Sequence, residues 1–337
     1  MQKHEKIYVA GHRALVGSAI VRRLRQEGYG NLVVRSISEL DLREQQAVRE
    51  FFATEKPDYV ILAAARVGGI LANETWPADF LYDNLMMEAN VIHASYESGV
   101  RKLLALGSTC IYPKMAPQSL KEEYLLSGPL EPTNEWYAVA KTVGIKLCQA
   151  YQRQHGCRFT AAMPTNLYGP GDNFDLETSH VLPAMIRKFQ EAKEANASSV
   201  GLWGTAKALR EFLHVDDLAE ACLFLMQNYD DEEIVNIGVG KDISIADLAG
   251  LVRDVVGFEG RIEYDTSKPD GTPRKLVDTS KINALGWKAR IGLREGVEQT
   301  YRWYLEHIDG LRGGDGGVRF AHPTLRLDIN GFGYWRL

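Results

Sequence analysis

The fold is decided near the start of the chain, by the stretch Ile7-Tyr8-Val9-Ala10-Gly11-His12-Arg13-Ala14-Leu15-Val16-Gly17. Its first four residues form a short apolar run, which predicts a buried strand. The two glycines follow that run, and helical spacing of apolar residues then continues to Leu24. Glycine allows a tight turn and a close approach of the backbone to a phosphate, and a helix N-terminus favours negative charge. The stretch therefore predicts a strand, turn and helix that bind a diphosphate.

Strand-like and helix-like segments alternate through the rest of the first half of the chain. Strands are predicted at residues 32–34, 59–65, 103–106 and 159–163, and helices at 43–55, 77–99 and 134–155. This alternation is typical of an α/β fold whose parallel sheet is covered on both faces. We therefore expect a doubly wound, Rossmann-type sheet with a smaller C-terminal α/β lobe.

The pattern loosens after residue 170. A helix is predicted at 181–194, strands near 200–203, 212–214 and 234–237, and a helix at 216–226. Part of this segment is expected to return to the main sheet, and the remaining pieces are expected to build the second lobe. We divide the chain into a dinucleotide-binding domain (1–170, with 209–238 returning to it), a substrate-binding lobe (171–312) and a Gly-rich C-terminal extension (313–337).

Composition narrows the class of protein. The chain has 337 residues, 45% hydrophobic and 25% charged, with a net charge of -5, so it has no basic footprint for nucleic acid or a membrane surface. Its four cysteines form no Cys-x-x-Cys pair, which favours free thiols in a reducing compartment. The N-terminal residues lead directly into a strand, without a signal-peptide pattern. We expect a cytoplasmic protein, and we assign no metal site.

The end of the second predicted strand, Val34-Arg35-Ser36, bears on the choice of cofactor. This fold usually places a carboxylate here for the ribose 2′-hydroxyl of NAD, whereas an arginine fits the 2′-phosphate of NADP. No carboxylate occurs before Glu39, and Arg13 in the turn is a second cation. These residues favour NADP(H). Asp41 and Leu42 either cap the next helix or lie against the adenine.

Tyr137 and Lys141 are spaced four apart in a predicted helix, so they share one face. A tyrosine with a pKa near ~10 is a poor acid or base, and a shift of ~2 to 3 units is needed to change that. An ammonium at ~4 Å supplies about 4 kcal/mol at an effective dielectric of ~20, which is enough. Ser108 follows the fourth strand and can bond the same substrate oxygen. We predict an acid/base site made by these three residues.

This order of motifs resembles the extended short-chain dehydrogenase/reductases, and among them the branch that epimerises and reduces a GDP-linked 4-keto sugar. The resemblance covers about residues 6 to 312. The resembling segments include Met163-Pro164-Thr165-Asn166-Leu167-Tyr168-Gly169 and Arg210-Glu211-Phe212-Leu213-His214. The more specific features are the run Val67-Gly68-Gly69-Ile70, the cysteine in Ser108-Thr109-Cys110 and the run Pro269-Asp270-Gly271-Thr272-Pro273-Arg274-Lys275. The departures are Ala14, where a third glycine is usual, Ile37, where a basic residue can stand, and the tail.

The resemblance implies NADPH-dependent 3,5-epimerisation and 4-reduction of GDP-4-keto-6-deoxy-D-mannose to GDP-L-fucose by a homodimer. It adds Cys110 and His180 to the catalytic residues. Inverting a carbon next to a carbonyl requires proton removal on one face and proton return on the other, for which a thiol and an imidazole have appropriate pKa values.

The resemblance also implies two sets of binding residues. The cofactor set is Gly11, His12, Arg13, Ala14, Leu15, Val16, Gly17, Arg35, Asp41, Leu42, Leu106, Gly107, Lys141, Pro164, Thr165, Asn166, Leu167 and His180. The set for the GDP part is Lys188, Trp203, Arg210 and Asp270. Cations bind a diphosphate well, and an aromatic ring or a carboxylate can hold a base or a sugar.

Two other functions stay open at this point. One is a different sugar-nucleotide enzyme of the same fold, a 4-epimerase or a 4,6-dehydratase, which recycles its cofactor. Cys110 and an Arg35 without an acidic partner argue against it. The other is a non-catalytic NADP(H)-sensing module, against which the intact set of Ser108, Tyr137 and Lys141 argues.

Overall fold

The computed structural model describes residues 1–176, 178–267 and 272–312. Its strands are β1 (Ile7–Ala10), β2 (Leu32–Val33), β3 (Tyr59–Leu62), β4 (Lys102–Leu106), β5 (Arg158–Pro164), β6 (Asn166–Tyr168), β7 (Ser199–Trp203), β8 (Leu209–Arg210), β9 (Phe212–His214), β10 (Val235–Ile237), β11 (Ile243–Ser244), β12 (Arg261–Asp265) and β13 (Arg274–Lys275). Its α-helices are α1 (Leu15–Gln26), α2 (Gln45–Glu55), α3 (Ile70–Thr75), α4 (Pro77–Glu97), α5 (Glu135–His155), α6 (Val181–Glu194), α7 (Val215–Asn228), α8 (Ile245–Val256), α9 (Ser280–Leu285) and α10 (Leu293–Arg312).

The main sheet has six strands in the order β10-β5-β4-β3-β1-β2, and every neighbouring pair is parallel. The chain adds β2 on one side of β1 and then crosses to add β3 on the other side. This change of direction makes a crevice at the carboxyl ends of β1 and β3, where open α/β sheets bind their ligands. The predicted doubly wound, Rossmann-type fold is confirmed.

Both faces of the sheet are buried, which explains why its strands are apolar without alternation. In β1, Ile7 and Val9 face one apolar cluster, and Tyr8 and Ala10 face another. The first cluster includes residues of α1 and α7, and the second includes residues of α2, α4 and α5. Strands of four or five residues therefore suffice to hold two layers of helices.

Of the three later strands only β10 joins the main sheet, so the expected return of the segment 209–238 holds for β10 and is wrong for β9. β10 pairs with β5 at the edge, with Val235 opposite Ala162. The other two form pairs of their own: β7 pairs with β12, and β9 pairs with β6. Since β10 covers the free edge of β5, β9 pairs instead with β6, which continues the chain one residue beyond β5.

A third apolar cluster lies among α6, α8 and α10, and it includes Phe189, Leu248 and Tyr304. The division into domains stays a prediction, and the extension at 313–337 lies outside the described residues. Among the helices of the described ranges, none is long and apolar enough to cross a membrane.

Candidate active site

The Gly-rich turn is closed tightly at the crevice between β1 and β3. Gly11 has a φ of +85°, and a Cβ there would lie 2.7 Å from the Cα of Ala64. A Cβ on Gly17 would overlap the carbonyl oxygen of Gly11. Ala14 precedes α1 without a side-chain cap, and no acidic residue stands in the first helical turn within this described segment. The turn therefore leaves the positive end of the α1 dipole available to an anion.

Arg35 lies where β2 leaves the sheet, and the expectation that it has no acidic partner is wrong. Its Nη2 donates to Glu55 Oε1 at 2.5 Å, and its Nη1 donates to the Val34 carbonyl at 2.8 Å. Glu39 folds back instead, accepting from the backbone N and the Oγ of Ser36 at 2.7 and 2.6 Å. These hydrogen bonds lower the pKa of Glu39. Glu55 was missed by the sequence analysis because it comes from the far end of α2.

Asp41 does not cap α2, so one of its two predicted roles is wrong. The helix begins at Gln45, and Glu44 is the residue before it. Asp41 Oδ1 instead accepts from the backbone N and the Nε of Arg43, at 3.0 and 2.9 Å. Leu42 is buried, and its carbonyl accepts a hydrogen bond from Asn90 Nδ2 at 2.9 Å.

Ser108 and Cys110 lie together in the turn that follows β4. Ser108 precedes a short 3-10 helix, Thr109–Ile111, and its Oγ accepts from the backbone N of Cys110 at 3.4 Å. Burial raises the pKa of the Cys110 thiol, and the Ser108 hydroxyl and the ammonium groups of Lys275 and Lys141 act in the opposite direction. Burial therefore opposes ionisation of the Cys110 thiol, while the hydroxyl and the two ammonium groups around it stabilise the thiolate.

Lys275 is a charged neighbour of Cys110 that the sequence analysis did not single out. It lies in β13, opposite Arg210 of β8. Burial lowers the pKa of Lys275, while the Cys110 thiolate and Glu131 would raise it. The available signal was the pair of basic residues that ends the Pro-Asp-Gly-Thr-Pro-Arg-Lys run, but the spacing to Cys110 becomes visible only in the folded chain.

Lys141 is fixed by two bonds at the end of β4. Its Nζ donates to Glu88 Oε1 at 2.7 Å and to the Leu106 carbonyl at 2.9 Å. The same Nζ lies 5.9 Å from the centroid of the Tyr137 ring. The shared helix face predicted for Tyr137 and Lys141 is thus present, and it points at the carboxyl end of the sheet.

The sequence analysis expected Lys141 to lower the pKa of Tyr137, and in the structure of the protein alone this expectation is wrong. Burial raises the pKa of Tyr137 well above its ordinary value, and negative charge on Cys110 and Glu88 adds to this. The prediction counted the ammonium of Lys141 alone, whereas Glu88 offsets that charge. Glu88 lies 53 positions from Lys141 in the sequence, so only the packing of α4 on α5 shows the pair.

His180 stands immediately before α6 and is accessible to solvent. Enough protein atoms surround its ring for desolvation to lower its pKa. The neighbouring residue Ser179 lies near Gly69, whose Cβ would be 3.5 Å from the Ser179 carbonyl oxygen. A Cβ on Gly68 would in turn be 3.1 Å from the ring of Phe80, which lies edge-on to Tyr137. The Gly68-Gly69 segment thus links the surroundings of His180 with those of Tyr137.

The residues predicted to hold the GDP part lie on the C-terminal elements. Lys188 is on α6, where burial lowers its pKa, and Arg210 is on β8, with Nη1 bonded to the Leu209 carbonyl at 2.8 Å. Trp203 ends β7, and nothing is described of its side chain. Asp270 lies outside the described residues.

Glu211 was also missed, although it stands beside Arg210 in the sequence. Its carboxylate accepts backbone hydrogen bonds from Val239 at 2.6 Å, Gly240 at 2.7 Å and Val277 at 3.0 Å. Its carbonyl accepts from Asn166 Nδ2 at 2.8 Å. Glu211 therefore ties the loop after β10 and the segment after β13 to the junction of β5 and β6, where the residues predicted at 164–167 lie.

A profile of the NAD dependent epimerase/dehydratase family matches residues 7–238. The chain belongs to this family. Within it, the chain is 60% identical to "GDP-L-fucose synthase 1" of Arabidopsis thaliana over 91% of this chain and 95% of that one. It is 51% identical to "GDP-L-fucose synthase" of Escherichia coli (strain K12) over 92% and 99% of the two chains. The predicted resemblance is thereby confirmed.

A solved structure of the same family, a GDP-L-fucose synthetase from Naegleria fowleri bound to NADP, superposes with a TM-score of 0.85. It is 31% identical and covers 92% of this chain and 96% of that chain. In this chain, Gly11 and Gly17 make a cradle that a side chain would fill, and the α1 N-terminus opens onto it. The site therefore fits the nicotinamide dinucleotide that the family uses.

Proposed function

We propose that the protein is a GDP-L-fucose synthase, which converts GDP-4-keto-6-deoxy-D-mannose to GDP-L-fucose with NADPH. The names of its relatives support this substrate and product. The structural observation that carries the proposal is the position of Cys110 in the same turn as Ser108, within electrostatic range of Lys141 and Lys275. A reductase that leaves C3 and C5 unchanged has no need for a thiol at this position.

Cofactor binding is assigned to the carboxyl end of the main sheet, in the 1–170 domain. The Gly11–Gly17 turn and the first helical turn with Leu15 and Val16 receive the pyrophosphate. His12, Ala14, Asp41, Leu42, Leu106, Gly107, residues 164–167 and His180 line the rest of the groove. Arg13 and Arg35 receive the 2′-phosphate, and the NADP in the Naegleria fowleri structure supports this preference. When bound, NADPH supplies the hydride that reduces C4.

Epimerisation comes first in the proposed reaction, because the protons at C3 and C5 are acidic only while C4 is a ketone. Cys110 removes each proton, and Lys275 and Lys141 stabilise the thiolate that this step requires. His180 returns a proton from the opposite face of the ring. Desolvation lowers the pKa of His180, so its protonated form is a stronger acid than an ordinary imidazolium and gives up its proton more readily to the ring carbon.

Reduction follows at the same carbonyl. Ser108 donates a hydrogen bond to the C4 oxygen, and Tyr137 gives its proton to the alkoxide that forms there. The raised pKa of Tyr137 is appropriate for this direction, because the hydroxyl stays protonated until a strongly basic oxygen lies next to it. Lys141, held at the end of β4, keeps its position relative to the Tyr137 ring.

The GDP part is assigned to the lobe at 171–312. Lys188 and Arg210 receive the diphosphate, and Trp203 and Asp270 contact the base or its sugar. The homodimer is assigned to α4 and α5, whose exposed large side chains include Tyr82, Trp136 and Val143. Light scattering of the purified protein tests this last assignment.

The experiment that tests the function is the consumption of NADPH with GDP-4-keto-6-deoxy-D-mannose. A GDP-L-fucose synthase oxidises one NADPH for each keto sugar converted. A 4-epimerase or a 4,6-dehydratase recycles its cofactor and leaves no net oxidation. Turnover of the sugar without loss of NADPH absorbance would contradict the proposal, and no turnover at all would favour a sensing module.

A further inference from the structure

The structure assigns a role to Glu88, which rests on the reduction proposed above. We propose that Glu88 is a positioning residue: its carboxylate holds the Lys141 ammonium on the carbonyl of Leu106, and its negative charge offsets that ammonium near the Tyr137 ring. The carboxylate acts through Lys141 and Tyr137 and has no role in contacting the sugar.

The packing of α4 on α5 builds this arrangement. Phe80, Asn84 and Glu88 are spaced four apart on α4, so they share the helix face on which Phe80 meets the Tyr137 ring edge-on. About two turns beyond Phe80 on that face, Glu88 reaches Lys141 on α5 at 2.7 Å. The two partners have only 5% and 3% of their side chains exposed, so water screens the pair little.

The fit around Glu88 leaves little freedom for the carboxylate. A Cβ on Gly144, one turn after Lys141, would overlap Glu88 Oε2. Glycine at this point of α5 therefore lets the carboxylate lie against the helix backbone. This close approach fixes Oε1 toward Lys141, whose Nζ in turn is fixed by the Leu106 carbonyl.

The charged groups near Tyr137 determine how the Glu88–Lys141 pair affects the pKa of Tyr137. Lys141 on its own helix, Glu88 on α4 and Cys110 after β4 are the ionisable groups that act on it, with Lys275 beyond the thiol. Burial raises the pKa of Glu88, while the ammonium of Lys141 and the backbone N–H of Gly144 act in the opposite direction. The Glu88 carboxylate in turn helps to raise the pKa of the Cys148 thiol. Without the Glu88 charge, the Lys141–Tyr137 pair loses its first proton at lower pH, because nothing then offsets the positive charge.

The main test is Glu88→Gln, which keeps the shape and removes the charge. We then measure the pH profile of single-turnover oxidation of NADPH by the keto sugar. Its alkaline limb should lie about 1 pH unit or more lower in the variant than in the wild type, because one nearby charge shifts a pKa by that amount. Glu88→Asp keeps the charge and should keep the alkaline limb of the wild-type protein. Thr142→Val is a matched control: it removes a buried hydroxyl bonded to the Ala138 carbonyl beside Lys141, with no change of charge. It should leave the pH profile unchanged.

A second readout needs neither cofactor nor substrate. With ¹³C-labelled tyrosine, the Tyr137 resonance, assigned by its loss in Tyr137→Phe, should titrate at lower pH in Glu88→Gln than in the wild type. If Glu88→Gln does not fold, Gly144→Ala, which displaces the carboxylate, should move both readouts in the same direction by a smaller amount.

The outcomes separate the two proposals. One outcome is that Glu88→Gln reduces the keto sugar with the same alkaline limb and the same Tyr137 titration as the wild type. That result would overturn the role of Glu88 and leave the proposed function standing. A shifted Tyr137 titration in a protein that never reduces the keto sugar would support the role of Glu88 and overturn the function.

Discussion

Gly17 lies directly against the backbone of Gly11: a Cβ on Gly17 would overlap the Gly11 carbonyl oxygen and lie 2.8 Å from the Cα of His12. Backbone atoms cannot turn away as a flexible side chain does, so Gly17→Ala must open the turn. We expect NADPH binding to weaken by about 10-fold or more, which corresponds to ~1.4 kcal/mol. Isothermal titration with NADPH measures this.

Gly250→Ala is the matched control for this change. Gly250 is inside α8, and a Cβ there meets nothing within 4 Å. Alanine is better than glycine in a helix by ~0.5 to 1 kcal/mol, so this variant should have a higher Tm and an unchanged affinity for NADPH. If Gly17→Ala binds NADPH as tightly as the control does, the turn is not the pyrophosphate site.

The cofactor preference is expected to depend on Arg13 and Arg35. A charge-assisted contact with the 2′-phosphate contributes roughly 1.5 to 3 kcal/mol, or about 10- to 100-fold in kcat/KM for NADPH over NADH. Arg13→Ala and Arg35→Ala should each reduce that ratio. Because Arg35 also pairs with Glu55, Glu55→Gln separates the effects: it removes the ion pair and should keep the preference. Equal kcat/KM for both cofactors in the wild type would contradict the assignment.

Tyr137→Phe should lower the rate of hydride transfer by about 10²- to 10⁴-fold, the usual contribution of a general acid. The ring packing against Phe80 is kept, so the fold should be unchanged. Stopped-flow loss of NADPH absorbance measures the rate, and thermal unfolding checks the fold. A wild-type rate in this variant would show that another group protonates the C4 oxygen.

Much of this architecture is accessible from sequence because its signals are local. The apolar run from Ile7 to Ala10, the glycines after it and the spacing of Tyr137 and Lys141 each lie within a short segment. The helix predicted at 181–194 is observed with the same bounds. Such patterns reflect backbone and burial requirements that act over a few residues.

What the sequence analysis missed is nonlocal. Glu88 meets Lys141 across two helices, Glu55 meets Arg35 from the end of α2, and Lys275 approaches Cys110 from β13. The same restriction to local patterns explains why β9 was assigned to the main sheet, since an apolar strand carries no information on which sheet edge is free. Charge partners of this kind change the pKa of a catalytic group, so the lowering predicted for Tyr137 was wrong for a physical reason.

Asp172 should make stability depend on pH. Its Oδ1 accepts from the backbone N of Asn173 at 2.7 Å, and burial raises its pKa to about 7. In the unfolded chain an aspartate titrates near ~3.9. The folded state thus holds this proton more tightly, so stability falls as the pH rises from about 4 to about 7 and is lowest above that range.

Asp172→Asn removes this dependence and should raise the Tm more at pH 8 than at pH 5. Asp254→Asn, at an exposed site beside Arg253, is the control and should change the Tm little at either pH. Differential scanning calorimetry at the two pH values gives the comparison. Equal changes for Asp172→Asn at both pH values would show that the carboxyl is not held protonated by burial.

The most direct measurement is the NMR spectrum of the product made in deuterium oxide from GDP-4-keto-6-deoxy-D-mannose and NADPH. The wild-type protein should give GDP-L-fucose carrying deuterium at C3 and C5, because Cys110 and His180 exchange both protons with solvent before C4 is reduced. Cys110→Ser should lose most of that deuterium and yield a reduced sugar of different stereochemistry, since a hydroxyl is a far weaker base. A product from the wild type with C3 and C5 unlabelled and uninverted, or equal labelling by Cys110→Ser, would contradict the account.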